Sequence, residues 1–305
     1  MLFKSLELEV PKEPLAESAP LARLWAAQHC ADCGWYHGFW QQMRLMGLGK
    51  TLSGQGPYFL DMAAKWRDHP SPRVLVSGCA DYSALAYAVA GLGRKRFDAP
   101  EPPQLVVLDR CETPLQLSRW YAERLGLTAQ SVQTVQADIL DYQPAAPFDL
   151  IITSSFVGYF DPPRRARLFA QYAQLLAPAG RLVFANRLRD LPEDQPVGFG
   201  ASETAIFLNR AQQANAALAP QDQLDEAHMA LAVQAYCQHF KSYPVASETS
   251  LMASLAQAGL KAISCQNVQA KSQQSTGTQA LAGPTLADGS TYVRVEAGKT
   301  CRIIF

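Results

Sequence analysis

The sequence predicts an α/β fold: a doubly wound, mostly parallel sheet with helices before its first strand and a helical insertion after its fifth. Between residues 73 and 187, short apolar runs of strand length alternate with segments whose apolar residues recur at helical spacing. Such alternation favours parallel strands joined by right-handed helical crossovers. The same two signals return at 247–268, as a helical stretch, a glycine and a strand.

The first strand and helix of this pattern lie in the stretch RVLVSGCADYSALAYAVA, residues 73–90. Val74 to Val76 form an apolar, β-branched run that is too short for a helix. A turn at Gly78 follows, and helical spacing begins within about five residues. Doubly wound folds bind ligands at such carboxyl ends of strands, where the next helix begins with free N–H groups.

The remaining core elements follow from the same periodicities. Strands are predicted at 73–77, 104–108, 132–136, 148–153 and 181–185. Helices are predicted at 81–92, from Thr113 onward, and from Asp161 to near Gly180.

Helical spacing outside this core predicts two helices within 18–48 that meet near Gly34, and a third over 58–67. Glycines and prolines after the fifth strand lead into two Ala- and Gln-rich helical stretches, at 203–217 and 222–240. The chain then continues with a predicted helix over 247–258, a strand over 260–268, a polar loop over 270–290, and two short strands over 292–296 and 301–305 with Gly298 as their hairpin turn.

Composition excludes several classes of protein. The 27 basic and 27 acidic residues balance to zero net charge, so the basic footprint of a nucleic-acid binder is missing. No apolar run is long enough to span a bilayer, and the N-terminal residues lack the apolar stretch of a signal peptide. Seven scattered cysteines, an odd number, favour free thiols in a reducing compartment. We therefore expect a cytoplasmic protein with a small-molecule ligand and neither nucleic acid nor membrane as partner.

The order of the parts resembles the class I S-adenosylmethionine-dependent methyltransferases. Five strand–helix units precede YPVASETSLMASLAQAGLKAISC, which looks like the passage of that family into its sixth strand. The resemblance covers 70–187 and 243–305. It implies a seven-stranded sheet whose last strand is antiparallel, with S-adenosylmethionine as cofactor.

The resemblance also assigns roles to residues at the strand ends. Gly78 matches the first glycine of the cofactor loop, and Asp109 matches the acid that binds the ribose hydroxyls. Asp138 with Ile139 matches the pair at the adenine edge. The cofactor contacts that the resemblance implies are Ser77, Gly78, Cys79, Ala80, Asp109, Arg110, Asp138, Ile139, Thr153 and Ser154.

The cofactor loop departs from the family pattern. One acid and three glycines at alternate positions are usual, but Val76, Gly78, Ala80 and Tyr82 stand there. A non-catalytic binding or scaffold protein of the same fold is therefore an alternative. A nicotinamide-dependent oxidoreductase is another, but its fingerprint G-x-G-x-x-G is not matched by GCADYS.

The main hypothesis is methyl transfer to oxygen, nitrogen or sulfur of a small molecule. His37 and His228 are candidate proton acceptors, because histidine titrates near neutral pH. Candidate substrate contacts are Tyr36, Phe156, Tyr159, Glu203, Tyr236 and His239. The alternatives are a core-facing aromatic stripe for WYHGFW, residues 35–40, and surface or packing positions for the histidines.

The domain boundaries follow from these elements. The predicted segments are 1–70, N-terminal helices covering the ligand edge; 71–187, the cofactor-binding core; 188–243, a helical insertion acting as a lid; and 244–305, the end of the core. A homodimer contact is the alternative use of the inserted helices.

Cys30, Cys33 and His37 have the spacing C-x2-C-x3-H, which raises the question of a zinc site. On a helix these three residues would share one face, and no second ligand pair with recognisable spacing follows in the sequence. We therefore expect them to be packed in a helical core, with no metal.

Overall fold

The computed structural model describes residues 9–48, 51–269 and 291–300, which are built around a seven-stranded sheet with the order β3-β2-β1-β4-β5-β7-β6. β1 to β5 are parallel, whereas β7 is antiparallel to both β5 and β6. The predicted fold class is confirmed. The strands are β1 Arg73–Ser77, β2 Gln104–Asp109, β3 Val132–Gln136, β4 Phe148–Ser154, β5 Leu176–Arg187, β6 Leu260–Gln269 and β7 Thr291–Lys299.

Helices cover both faces of the sheet. Apolar residues of α1, α3, α4 and α5 pack on one face, and those of α6 and α9 pack on the other. The helices are α1 Leu15–His29, α2 Gly34–Leu45, α3 Thr51–Ala64, α4 Ser83–Leu92, α5 Glu112–Arg124, α6 Pro162–Leu175, α7 Ala201–Ala216, α8 Glu226–His239 and α9 Glu248–Gln257. None of the helices in the described ranges combines the length and the apolar character that a membrane crossing requires.

The centre of the sheet is the predicted first strand. Val76 pairs with Val107 of β2 on one side and with Ile152 of β4 on the other. All three side chains are at most 1% exposed, as expected for a parallel strand covered on both faces. The Gly78 N–H then donates to the Leu108 carbonyl at 3.0 Å, which holds the turn against the end of β2.

Two boundaries predicted for the chain after the fourth strand are wrong. α6 ends at Leu175 rather than near Gly180, because Leu176 already pairs with Phe148 of β4. Gly298 is not a hairpin turn: it lies within β7 and pairs with Arg181 of β5 and Lys261 of β6. The predicted loop over 270–290 and the predicted strand over 301–305 lie outside the described residues.

α3 begins earlier than its sequence indicates. It starts at Thr51 and contains Pro57, although glycine and proline disfavour a helix interior. Close packing explains the glycine at 56, because a side chain there would overlap the Tyr87 ring of α4. Gly91 of α4 likewise lies against the Leu60 carbonyl oxygen, where an added Cβ would be 2.5 Å away. Tight contact between α3 and α4 therefore overrides local propensity.

The inserted helices α7 and α8 pack against α2 and form a third apolar cluster, separate from the two on the sheet. We call α2, α7 and α8 together the roof. The cluster comprises Phe39, Met43, Met46, Leu48, Phe207, Ala211, Met229, Val233, Tyr236 and Cys237.

Buried polar contacts anchor the two ends of the insertion. Val197 and Ser242 exchange backbone hydrogen bonds of 2.8 and 3.0 Å, joining the entering and leaving chain. Arg165 of α6, whose side chain is 2% exposed, forms an ion pair with Glu193 at 2.7 Å. Its other nitrogen donates to the Pro244 carbonyl at 2.7 Å. The insertion is thus fixed to the sheet at its base.

We expect Glu193→Ala to destabilise the protein by about 3 kcal/mol, because it leaves the Arg165 charge buried without its carboxylate. Asp141→Ala is the matched control, since Asp141 pairs with Arg167 at 4.0 Å and both side chains are exposed. That variant should cost less than about 0.5 kcal/mol. Urea denaturation measures both values, and equal losses would contradict a supporting role for Glu193.

Candidate active site

A cavity of about 480 Å³ lies between the carboxyl ends of the strands and the roof. Its wall is formed by residues that follow β1, β2, β3, β4 and β5, together with aromatic residues of the roof. The predicted site residues that line it are Tyr36, His37, Ser77, Gly78, Cys79, Ala80, Asp109, Arg110, Asp138, Ile139, Thr153, Ser154, Phe156, Tyr159 and Tyr236.

Two carboxylates occupy the β2 and β3 side of the cavity. Asp109 Oδ1 accepts a hydrogen bond from the Cys111 N–H at 2.8 Å, so one oxygen is held while the carboxylate lines the cavity. Burial raises the pKa of Asp109 to about 6, opposed by the nearby His37 and by backbone N–H groups. Asp138 accepts from the Leu140 N–H at 3.0 Å, and Arg110 Nε lies 3.8 Å from its other oxygen.

Gly78 has a positive φ of 65°. An added Cβ there would overlap the ring of Phe156, which follows β4. Both the backbone conformation and the close approach therefore require glycine at this position.

The turn after Gly78 is fixed by Asp81, which is 4% exposed. One of its oxygens accepts from Trp40 Nε1 at 3.0 Å and from Arg44 Nη1 at 2.8 Å. The other accepts from the N–H of Ser83 at 2.7 Å and from the Ser83 hydroxyl. Four donors fill the capacity of a carboxylate. Asp81 is therefore a structural acceptor that ties α2 to the start of α4.

Tyr82 stands at the third glycine position of the family pattern but does not enter the cavity. Its ring stacks on Tyr121 of α5, with centroids 4.6 Å apart, in the core on one face of the sheet. The substitution therefore does not fill the cavity, because the Tyr82 ring packs in this core and does not line the cavity wall.

Hydroxyl groups at the end of β4 lack hydrogen-bond partners among the described residues. Ser154 Oγ and Ser155 Oγ are buried and have no hydrogen-bond partner in the described ranges. Ser155 also has a positive φ of 53°, which is uncommon for a residue other than glycine and is frequent at functional sites. In contrast, Ser77 Oγ accepts a hydrogen bond from the Tyr172 hydroxyl, with 3.1 Å between the two oxygens. The two later serines remain available to a ligand.

Aromatic side chains of the roof cover the cavity. Tyr36 stacks on Trp40 at 5.4 Å and on Tyr236 at 6.2 Å, measured between ring centroids. Phe199 and Phe240 each contact Tyr236 and also line the cavity. Burial raises the pKa of both Tyr36 and Tyr236 well above the ordinary value, so these phenols stay protonated.

Sequence reasoning missed a basic group at the end of β5. Arg187 and Arg189 both line the cavity, beside Tyr292 of β7. Arg189 Nη2 donates to Ser242 Oγ at 2.8 Å, while its buried Nη1 has no hydrogen-bond partner among the described residues. Burial, with Arg187 nearby, lowers the pKa of Arg189 to about 10, so it remains charged near neutral pH. The only signal in the sequence was the pair of arginines directly after an apolar strand.

Three predicted site residues lie outside the cavity wall. His228 is exposed and forms an ion pair with Asp225, which begins α8. Glu203 accepts a hydrogen bond from the Gly200 N–H at 2.7 Å and so caps the start of α7. His239 is exposed and packs its ring near Trp35. The sequence does not indicate which neighbours these side chains meet, because helical spacing identifies a shared face but not the element that packs against it.

His37 does line the cavity, but its ring faces thiols rather than open space. Its Nδ1 lies 3.6 Å from Cys30 Sγ. Burial lowers the pKa of His37, but hydrogen bonds to Cys30 and Cys33 and the charge of Asp109 outweigh it and raise the pKa to about 9. A fourth candidate ligand, which spacing in the sequence does not indicate, lies beside them, since Cys111 Sγ is 2.9 Å from Cys33 Sγ. A histidine engaged in this way is a poor general base.

No protein-family model matches the chain, and no curated protein matches it. Similar solved structures include the N-methyltransferase NodS from Bradyrhizobium japonicum WM9 with S-adenosyl-L-homocysteine, at 14% identity and a TM-score of 0.44, covering 94% of this chain and 99% of that one. A second is the Burkholderia thailandensis 1,6-didemethyltoxoflavin-N1-methyltransferase with its substrate and S-adenosylhomocysteine, at 15% identity and a TM-score of 0.46, covering 87% and 90%.

A third similar structure is the magnesium protoporphyrin IX methyltransferase ChlM from Synechocystis PCC 6803 with bound S-adenosylhomocysteine. It has 11% identity and a TM-score of 0.46, and the match covers 82% of this chain and 85% of that one. Identities and scores this low do not carry an argument about activity. The sheet order and the antiparallel β7 are observed directly in this chain. They match the architecture that the resemblance to class I methyltransferases implied.

We expect Gly78→Ala to cost about 1–2 kcal/mol through its backbone conformation alone, and more through overlap with Phe156. In a Phe156→Ala background the overlap is relieved, so the same change should cost less. Gly34→Ala is the control, because an added Cβ there meets its nearest atoms at 3.7 Å. Urea denaturation of the four combinations at 78 and 156 tests this, and an identical cost in both backgrounds would show that Phe156 does not close over Gly78.

Proposed function

We propose that this protein is an S-adenosylmethionine-dependent methyltransferase whose acceptor is a small molecule carrying an anionic group. The proposal rests on the spatial order of the polar groups along one cavity. Carboxylates lie at the ends of β2 and β3, a required glycine follows β1, hydroxyls without a hydrogen-bond partner lie at the end of β4, and arginines lie at the end of β5. Because the sheet order is β3-β2-β1-β4-β5, these groups follow one another from a nucleoside-binding end to an acceptor-binding end.

The nucleoside end is suited to a ribose and a base. Asp109 is an acceptor-only group when ionised, and a carboxylate matches two adjacent hydroxyls. Ile139, which is 2% exposed, supplies apolar surface next to Asp138 for a purine face. Gly78 allows backbone to approach the donor closely. These residues would hold the cofactor, which when bound supplies an electrophilic methyl group on a sulfonium.

The remaining residues would align the acceptor and exclude water. The cofactor would supply the methyl group to the acceptor atom, and its sulfur would keep the electron pair of the carbon–sulfur bond. Alignment of donor and acceptor is the main contribution that a protein makes to such a displacement. The rings of Tyr36 and Tyr236 offer a flat apolar surface, and the hydroxyls of Ser154 and Ser155 can accept or donate one hydrogen bond each.

The acceptor end favours an anion. Arg189 keeps a buried N–H group without a protein partner in the described ranges, and a second guanidinium, that of Arg187, lies close to it. A carboxylate or phosphate would give this Arg189 N–H group a charged hydrogen-bond partner. An anionic substituent is therefore the chemistry that completes this part of the cavity.

The four-segment organisation, with α7 and α8 as a lid, remains part of the proposal. It is supported by Phe207 of α7 and Tyr236 of α8, which line the cavity, and the contacts of Glu193 and Val197 would hold the base of the insertion if the two helices moved. The cytoplasmic location and the homodimer remain predictions. A non-catalytic binding protein is the second candidate, favoured by the substitutions at Ala80 and Tyr82 but weakened by the position of Tyr82 outside the cavity wall.

We expect S-adenosylhomocysteine to raise the melting temperature, since a ligand that binds only the native state stabilises it. Asp109→Asn keeps the acceptor for the Cys111 N–H but removes the charge, so affinity should fall about tenfold or more. Calorimetric titration measures this, with the exposed Asp141→Asn as control. An absent thermal shift in folded protein would exclude the cofactor.

To test the acceptor, we compare the affinity of the protein for a hydroxybenzoate and for its methyl ester, both in the presence of S-adenosylhomocysteine. The free acid should bind about tenfold tighter through a charge-assisted hydrogen bond, and Arg189→Met should remove that preference. Arg167→Met, on the exposed face of α6, is the control. Equal binding of acid and ester to the unaltered protein would contradict an anionic acceptor, while leaving the cofactor result intact.

A further inference from the structure

We propose that Cys30, Cys33, His37 and Cys111 form a zinc site that joins the N-terminal helices to the cofactor-binding edge of the sheet. One ligand atom from each of the four residues can be chosen so that all lie within 4.8 Å of one another. Three thiols and one imidazole are a recurrent set of ligands for structural zinc.

The cluster could close around a tetrahedral ion after side-chain shifts on the order of 1 Å, since its ligand atoms lie at most 4.8 Å apart. Zinc–sulfur bonds of about 2.3 Å and zinc–nitrogen bonds of about 2.0–2.1 Å place tetrahedral ligands roughly 3.5–3.8 Å apart. Cys30 Sγ and His37 Nδ1 are already 3.6 Å apart. Cys33 Sγ and Cys111 Sγ, at 2.9 Å, would have to separate by about 1 Å or less, which is a small rotation of either side chain.

Local structure explains why these side chains converge. Cys30 follows the last residue of α1, and Cys33 precedes the first residue of α2, so both lie in the link between two helices. His37 is on the first turns of α2 and is 6% exposed. Cys111 precedes α5 and belongs to the connection that starts at Asp109. The ligands therefore come from two parts of the chain that only the tertiary fold brings together.

A neighbouring hydroxyl supports the ligand set. Thr113 Oγ1 lies 3.1 Å from Cys30 Sγ, and Thr113 is fully buried. A hydroxyl that donates to a thiolate orients it and stabilises its charge, which is the usual arrangement around a bound metal. The predicted start of this helix at Thr113 is one residue late, since α5 begins at Glu112 after Cys111, which makes no side-chain cap.

The site assigns a structural role to His37 in place of proton transfer. A metal at this position would fix Cys111, whose N–H holds the Asp109 carboxylate, and would fix the start of α2, which carries Tyr36 into the cavity. It would thereby couple the cofactor-binding edge to one helix of the roof. A disulfide between Cys33 and Cys111 is the competing use of the same thiols, and it requires a sulfur–sulfur bond of about 2.05 Å.

The first test is the metal content of the full chain, produced without a histidine tag in zinc-supplemented medium and purified under reducing conditions. Elemental analysis should find about one zinc per chain. Exchange for Co²⁺ should produce the ligand-field bands of a tetrahedral ion and the charge-transfer absorption of cobalt thiolates. These readouts need no cofactor and no activity, so their outcome is separate from that of the proposed methyl transfer.

The second test compares Cys111→Ser with Cys265→Ser, because both cysteines are free and partly buried but only Cys111 belongs to the cluster. Cys111→Ser should bind zinc at least tenfold more weakly, judged by competition with a chromogenic chelator. Cys265→Ser should bind like the unaltered chain. If Cys111→Ser does not fold, the Co²⁺ spectrum of the unaltered chain tests the proposal instead. A spectrum of a tetrahedral ion with thiolate absorption supports the zinc site, and a spectrum without thiolate absorption overturns it.

Three further results would overturn the zinc site. The first is less than about a tenth of an equivalent of metal after zinc loading of the reduced chain. The second is undiminished zinc binding by folded Cys111→Ser protein. The third is a Cys33–Cys111 cross-linked peptide, two hydrogens lighter than its reduced form, in protein isolated without added oxidant.

Discussion

The buried carboxylate of Asp81 connects the sheet, the cofactor loop and the roof. Its four donors come from Trp40 and Arg44 of α2 and from Ser83 at the start of α4. Arg44 also pairs with Glu13 at 2.5 Å, so the segment before α1 joins the same network. Removing one member of a buried ion pair typically costs about 3–5 kcal/mol, because the other charge is left unpaired. The position of α2 over the cavity depends on this contact.

The placement of α2 determines what the cavity can bind. Its aromatic residues supply one wall, and α7 and α8 pack against its other side to complete the roof. The side of the cavity opposite the roof is polar, because the strand ends contribute carboxylates, hydroxyls and guanidiniums there. An apolar cover over a polar floor suits a ligand with a charged and hydroxylated part that must react away from water. The proposed zinc would reinforce the same α2 at its first residues.

Beside the aromatic side chains of the roof, the described cavity wall offers few groups able to accept a proton, since its carboxylates Asp109 and Asp138 lie at the β2 and β3 side. Tyr36 and Tyr236 are phenols whose burial raises their pKa, and His37 faces thiols. Methyl transfer does not require a strong base when the acceptor is already ionised or loses its proton to water. The geometry therefore places more weight on alignment by the roof and on charge at Arg189 than on acid–base catalysis.

The sequence by itself determined the sheet and its ligand edge, including Gly78, Asp109 and Asp138, because strand and helix periodicities are local and the strand ends follow from them. It did not determine which helix faces meet. The sequence therefore did not show that Glu203, His228 and His239 lie outside the cavity wall, or that Cys111 and Arg189 belong to it. Such contacts depend on how α2 and the insertion pack across the sheet edge, and packing between distant segments leaves no periodic trace in the sequence.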